Sequence, residues 1–147
     1  MTYTLAAMLL TTVTSLLMTG VIWFVQVVHY PLFRLIGRSA FPYYEENHMR
    51  RTGWVVIPLM TLELGSALVL PFLELPPEYT APAWLSAALA VLIWSVTFTV
   101  QVPLHRRLTE NYEIGSIQKL VRTNAVRVFL WSGRSVLVTY MLVGMLT

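Results

Sequence analysis

Hydrophobic positions in this chain run in long unbroken blocks rather than alternating along strands or marking one helical stripe. No residue from Met1 to Phe33 carries a formal charge, and between Thr52 and Leu73 only Glu63 does. Tyr79 to Leu104 is charge-free, and Val128 to Thr147 holds only Arg134. Each block reaches the roughly 20 residues that a helix needs to cross hydrocarbon at about 1.5 Å per residue. The pattern predicts an all-α, integral membrane four-helix bundle with spans at about 5–33, 52–75, 80–104 and 124–146. Residues 1–147 read as a single transmembrane domain. Continuous apolar runs rich in Leu, Ala, Met and Val argue against a β-barrel, whose strands alternate. The first block lacks a basic leading region and is too long for the core of a cleaved signal, so it reads as a span.

Composition agrees. Of 147 residues, 56% are hydrophobic and 12% charged, about half the charged fraction of a soluble domain. The chain has no cysteine, which excludes disulfides, thiolate metal sites and cysteine nucleophiles.

The net charge of +3 is a matter of topology. Arg34, Arg38, Arg50 and Arg51 lie between the first two spans, and Arg106, Arg107, Lys119, Arg122 and Arg127 between or beside the last two. The remaining connection, Pro71 to Pro82, has Glu74 and Glu78 and no basic residue. The positive-inside rule then puts both basic connections in the cytoplasm and both termini outside. With the basic residues so explained, nucleic acid is not expected as a partner, and the location expected is a bacterial cytoplasmic (inner) membrane, multi-pass. Helices two and four are expected to extend into the cytoplasm. Ser39 and Ser116 are candidate caps, Glu46 and Arg50 a candidate i, i+4 pair, and Gly53 or Pro58 a candidate bend.

The two halves echo one another. Gln26-Val27-Val28-His29-Tyr30-Pro31-Leu32 resembles Gln101-Val102-Pro103-Leu104-His105, and Arg51-Thr52 resembles Arg122-Thr123. This is the trace of a parallel repeat about an axis along the membrane normal. Glu63 and Arg134 fall at equal depth past the two threonines, so they are expected to form an intramembrane ion pair.

A second set of polar residues gathers near the inner leaflet. Gln26 and His29 share one helix face. Thr97, Gln101 and His105 share another, and Asn124, Arg127, Trp131 and Arg134 a third. With His48, these groups can line one cavity in the bundle. His29, His105 and Arg127 are the candidate catalytic residues, and Gln26, His48, Gln101 and Asn124 the candidate cofactor-binding ones. Imidazoles from facing helices could ligate haem iron or a metal, with an amide setting the tautomer. Equally, imidazole, amide and guanidinium together suit the oxygens of a quinone or phenol. Haem, a metal or no cofactor all stay open. Motifs for zinc hydrolases, nucleotide enzymes and serine hydrolases are absent from the sequence.

Val102-Pro103-Leu104-His105-Arg106-Arg107-Leu108, followed by Asn124-Ala125-Val126-Arg127, resembles the inner-loop pattern of small four-span bacterial membrane proteins. These are distantly similar to the anthrone-oxygenase-like family. His29-Tyr30-Pro31-Leu32-Phe33 with Glu63-Leu64-Gly65 is similar to a subgroup of them. The family commonly has asparagine at His105 and tryptophan at Ala125. The resemblance implies oxidation of an anthrone to an anthraquinone by molecular oxygen without an obvious cofactor. His29 or His105 would then deprotonate a phenol, and Arg127 or Arg134 would hold the phenolate.

The sequence thus supports three functions. The first is a membrane-embedded oxidoreductase or binding protein for an aromatic, quinone-like or haem-type ligand. The second is an accessory structural subunit of a larger membrane complex, for which the methionines and the Ala87-Ala88 and Gly65-Ser66-Ala67 patches suit helix packing; a homodimer is a separate candidate assembly and would count against this reading. The third is a small proton-coupled transporter using Glu63.

Overall fold

The structure is a computed structural model describing residues 2–147. Four long helices dominate it: α1 (Tyr3–Leu35), α2 (Phe41–Phe72), α3 (Pro77–Glu110) and α4 (Ile114–Leu146). All four are long and apolar enough to cross a membrane, the architecture of a multi-pass membrane protein. Each has 32 to 34 residues, roughly 50 Å at 1.5 Å per residue, against about 30 Å of hydrocarbon. Helices α1 and α3 therefore overrun an apolar span as far as α2 and α4 do.

The helices run up and down in sequence. α1 packs beside α2 and α4, and α3 beside the same two, so α1 faces α3 and α2 faces α4 across the bundle axis. The connections at 36–40 and 111–113 share one end, here the basic end. The connection at 73–76 shares the other with the first and last described residues. Met8, Leu70, Tyr79, Val138 and Met141 pack near that terminal end. Met18, Ile22, Met60, Ile93 and Trp131 fill the middle, and Tyr30, Phe33, Phe41, Leu108 and Leu120 the basic end.

The usual inside-outside order is inverted in places. Trp54, Phe129 and Val136 are 79%, 77% and 72% exposed, while Ser15, Ser86, Asn124 and Arg134 are fully buried. Apolar surface outside and hydrogen-bonded polar groups inside are what a lipid solvent selects.

Glu63 and Arg134 meet in the middle of this interior as a buried ion pair. They lie on α2 and α4, across the axis. Trp131 Nε1 donates to both Glu63 oxygens at 3.1 and 3.0 Å, and Arg134 Nε donates to the Ser86 carbonyl at 3.1 Å. Ser15 and Thr19 on α1 meet the Ser135 hydroxyl at 2.9 and 2.7 Å. All four helices thus contribute to one polar layer. Glu63 and Arg134 are 71 residues apart, and Ser15 and Ser86 stand at the same interval. Arg51-Thr52 and Arg122-Thr123 are separated by the same interval.

Two turns of π-helix interrupt the bundle, at Val25–His29 in α1 and Thr97–Gln101 in α3. A proline follows each, Pro31 and Pro103, after one intervening residue. Proline has no N–H to donate, and its ring collides with the carbonyl four residues back. Widening the preceding turn by one residue keeps the helix running past it. Tyr30 N–H bonds the Val25 carbonyl, and Val102 N–H that of Thr97. Everything beyond each wide turn is rotated relative to a regular helix.

Local expectations fare less well. Ser39 does not cap α2: Ala40 holds the cap position without a side-chain bond, and the Gly37 carbonyl accepts from Ala40 and Phe41. Ser116 lies within the first turn of α4, capped at Glu113, and donates to the Glu113 carboxylate. Arg50 donates to Asn47 Oδ1 at 2.7 Å rather than pairing with Glu46. Pro58 sits inside an uninterrupted helix, since its missing bond removes only one rung of a long ladder.

Removing one member of the central pair, by Glu63→Ala or Arg134→Ala, strands a charge and should cost about 3–5 kcal/mol. The exchanged pair Glu63→Arg with Arg134→Glu should be more stable in thermal unfolding than Glu63→Arg or Arg134→Glu alone, because Ser15 stands at the same interval before Ser86 as residue 63 before residue 134 and would serve an arginine at 63 as Ser86 serves Arg134. Unfolding at or below the single-variant temperature would show that the two halves are not interchangeable.

Candidate ligand cavity

The wide turns of α1 and α3 bring Tyr30 and His105 together near the basic end. The Tyr30 hydroxyl lies 2.8 Å from His105 Nε2, and His105 Nδ1 is hydrogen-bonded to Glu45 Oε1. Glu45 belongs to the first turns of α2 and is fully buried, and Tyr30 and His105 are buried as well. The His48 ring stands 5.4 Å from that of His105. Its Nδ1 is 2.9 Å from His29 Nε2 and 3.1 Å from the Thr52 hydroxyl.

From α4, Arg127 lies with its guanidinium 5.0 Å above the Trp131 ring and donates to Asn124 Oδ1 at 3.1 Å. Asn124 Nδ2 in turn donates to Gln26 Oε1 at 2.9 Å. Gln101 Nε2 donates to the Thr123 hydroxyl at 2.8 Å.

Beside these groups lies a cavity of about 280 Å³. Its polar wall is Tyr30, His48, Thr52, Gln101, His105 and Arg127, and its apolar wall runs from Met18 and Ile22 to Val56 and Met60. Two of its lining residues, Ile57 on α2 and Phe98 on α3, are 57% and 50% exposed. The cavity therefore opens sideways, between α2 and α3, onto the surface that faces lipid. A second, shallower groove lies at the basic end, lined by His29, Tyr43, Tyr44 and Arg51. His48 and Thr52 line both spaces and form the partition between them.

The polar residues picked out in the sequence are thus divided. His48, Gln101, His105 and Arg127 face the cavity. Gln26 and Asn124 stand behind Arg127, bonded to each other, where they position it rather than contact a ligand. His29 opens on the groove and reaches the cavity only through His48. Glu63 and Arg134 are occupied in the central layer. Haem would need more room than the cavity has, which is at the lower limit of the roughly 300–1,000 Å³ usual for ligand pockets. A single ring system fits better.

Three residues of this site have a buried polar atom without a hydrogen-bond partner: Glu45 Oε2, Gln101 Oε1 and Arg127 Nε. Such an atom costs about 1–3 kcal/mol and calls for an explanation such as a bound ion or a functional role. Glu45 and Tyr30 carry the arrangement, yet the sequence reading passed over both. The signal for Glu45 was present: Glu45-Glu46-Asn47-His48 is a Glu-x-x-His spacing, which puts a carboxylate and an imidazole on one helix face. Compared with family models, curated proteins and solved structures, the chain finds no match.

Proposed function

We propose that this protein is a membrane-embedded oxidoreductase or binding protein for an aromatic, quinone-like molecule that reaches its site laterally from the bilayer. The carrying observation is a cavity whose mouth opens between exposed apolar side chains and whose far wall is formed by Gln101, His105 and Arg127. A lipid-soluble ring would enter past Ile57 and Phe98 and lay its apolar body against Met18, Val56 and Met60. Its oxygens would meet the Gln101 and Arg127 groups, which together accept and donate. The resemblance to the anthrone-oxygenase-like family supports the same class of ligand. A transporter that protonates Glu63 is disfavoured, because Arg134 and Trp131 already engage that carboxylate.

The reading also assigns an orientation. The basic end is cytoplasmic, both termini are outside, and the bilayer is a bacterial inner membrane. The cavity then lies in the cytoplasmic leaflet, and the helices project beyond the hydrocarbon on that side. The chain has no cysteine, so single substitutions report side directly. Glu78→Cys in spheroplasts should react with a membrane-impermeant maleimide, and Arg107→Cys only after permeabilisation. The reverse pattern would invert the protein in the membrane.

Ligand binding is tested with menadione, a small naphthoquinone, titrated into the protein in lipid nanodiscs and followed by tryptophan quenching. Saturable quenching is expected. Gly53 lines the cavity, and a Cβ there would meet only the Ile57 side chain at 3.5 Å. Gly53→Leu should therefore occupy the cavity without moving backbone and weaken binding at least about tenfold, or 1.4 kcal/mol. Identical linear partitioning with both proteins would remove the proposal.

A further inference from the structure

Glu45, His48 and His105 come from two helices, yet one ligand atom of each lies within 4.8 Å of the others. We propose that these three residues hold a single divalent first-row transition-metal ion at the end of the cavity. Two imidazoles and one carboxylate form a facial set that leaves coordination positions open, and that set suits iron, zinc and their neighbours.

Four observations converge on it. Glu45 is fully buried and its Oε2 has no partner, so a carboxylate lone pair is held in the interior with nothing to accept from. His105 directs Nδ1 at Glu45 and Nε2 at the Tyr30 hydroxyl. With a cation between His105 and Glu45, His105 would keep its Nε2 proton and donate it to Tyr30 oxygen, the outer hydrogen bond that fixes the tautomer of a metal-binding imidazole. His48 has Nδ1 engaged by His29 and Thr52, which leaves Nε2 as its ligating nitrogen and supplies the same outer support. Finally, His48 and His105 both line the cavity, so the open positions of the ion face the space where a ligand would sit.

Only one ion is expected. The Glu-x-x-His pair of α2 has no counterpart on α3, where Val102 stands three residues before His105. A dinuclear carboxylate site would need that second pair.

The test is a Co²⁺ titration of chelator-stripped protein in nanodiscs, read by visible d–d absorption and elemental analysis. One ion per chain is expected, displaced by one equivalent of Zn²⁺. Glu45→Gln and His48→Asn each remove a ligand, and both should lose stoichiometric binding. Tyr30→Phe keeps all three ligands and should weaken affinity about 10-fold or more. Circular dichroism and elution volume identify any variant that does not fold, and the remaining variants then decide. Wild-type protein that takes up no stoichiometric Co²⁺, or folded Glu45→Gln and His48→Asn proteins that bind as wild type does, would overturn the proposal. Menadione quenching, measured on the same stripped protein, reports on the cavity separately, so loss of one reading leaves the other standing.

Discussion

The Glu63–Arg134 pair is the constraint around which the bundle is built. A charge alone in hydrocarbon is costly, so each of these residues must face the interior and find the other. They sit on opposite helices, so their contact passes through the axis and sets the depth and rotation of α2 against α4 at once. Helices α1 and α3 then fill the flanks, Ser15 and Ser86 at the pair's own level. Short side chains are required there, because the guanidinium and the indole of Trp131 already take up the middle. An ion pair of this kind contributes more to register than to net stability, since desolvation offsets much of the attraction.

Near the basic end the controlling feature is backbone rather than charge. Pro31 and Pro103 widen the turns before them, and each wide turn rotates the remainder of its helix. That rotation carries Tyr30 and His105 inward and lets them meet over Glu45. Turns of π-helix are costly and uncommon, and where they persist inside a helix they tend to mark functional sites. Here both flank the same cavity. Residues at matching intervals in the two halves thus act at two levels: Glu63 and Arg134 fix the middle of the bundle, and Pro31 and Pro103 shape one end.

Sequence patterning carries the fold well and the site unevenly. Four spans and an interior meeting of Glu63 with Arg134 follow from where charges are absent, because lipid tolerates few exceptions. Helix ends were less legible. Ser39 and Ser116 have the right chemistry to cap, but Ala40 and Glu113 hold the cap positions, since cap choice depends on loop geometry that composition does not express. Gln26 and Asn124 share faces with the cavity residues and yet bond each other behind Arg127, a distinction of one side-chain layer that helical spacing cannot resolve. Glu45 was obscured by its neighbours: beside Glu46, Asn47 and Arg50 it reads as one more polar residue of a solvated turn. The wide turns have no periodicity of their own before a proline, so the inward rotation of Tyr30 could not be read either.

The partition between cavity and groove bears on how such a site would work. A phenol or quinol bound from the lipid side exchanges protons, and hydrocarbon offers nowhere for them to go. His48 stands at the boundary, with its Nδ1 on His29, which opens on the groove beside Arg51 and Tyr43. In the metal-free site an imidazole can take a proton on one nitrogen and release it from the other, so two in contact span the wall without opening a water channel through it; an ion on His48 Nε2 closes that route. On the proposed reading, lipid delivers the ring from one side and the basic end exchanges protons on the other. That division explains why three histidines, otherwise an ordinary number, are crowded into one corner of a bundle whose remaining interior does without them.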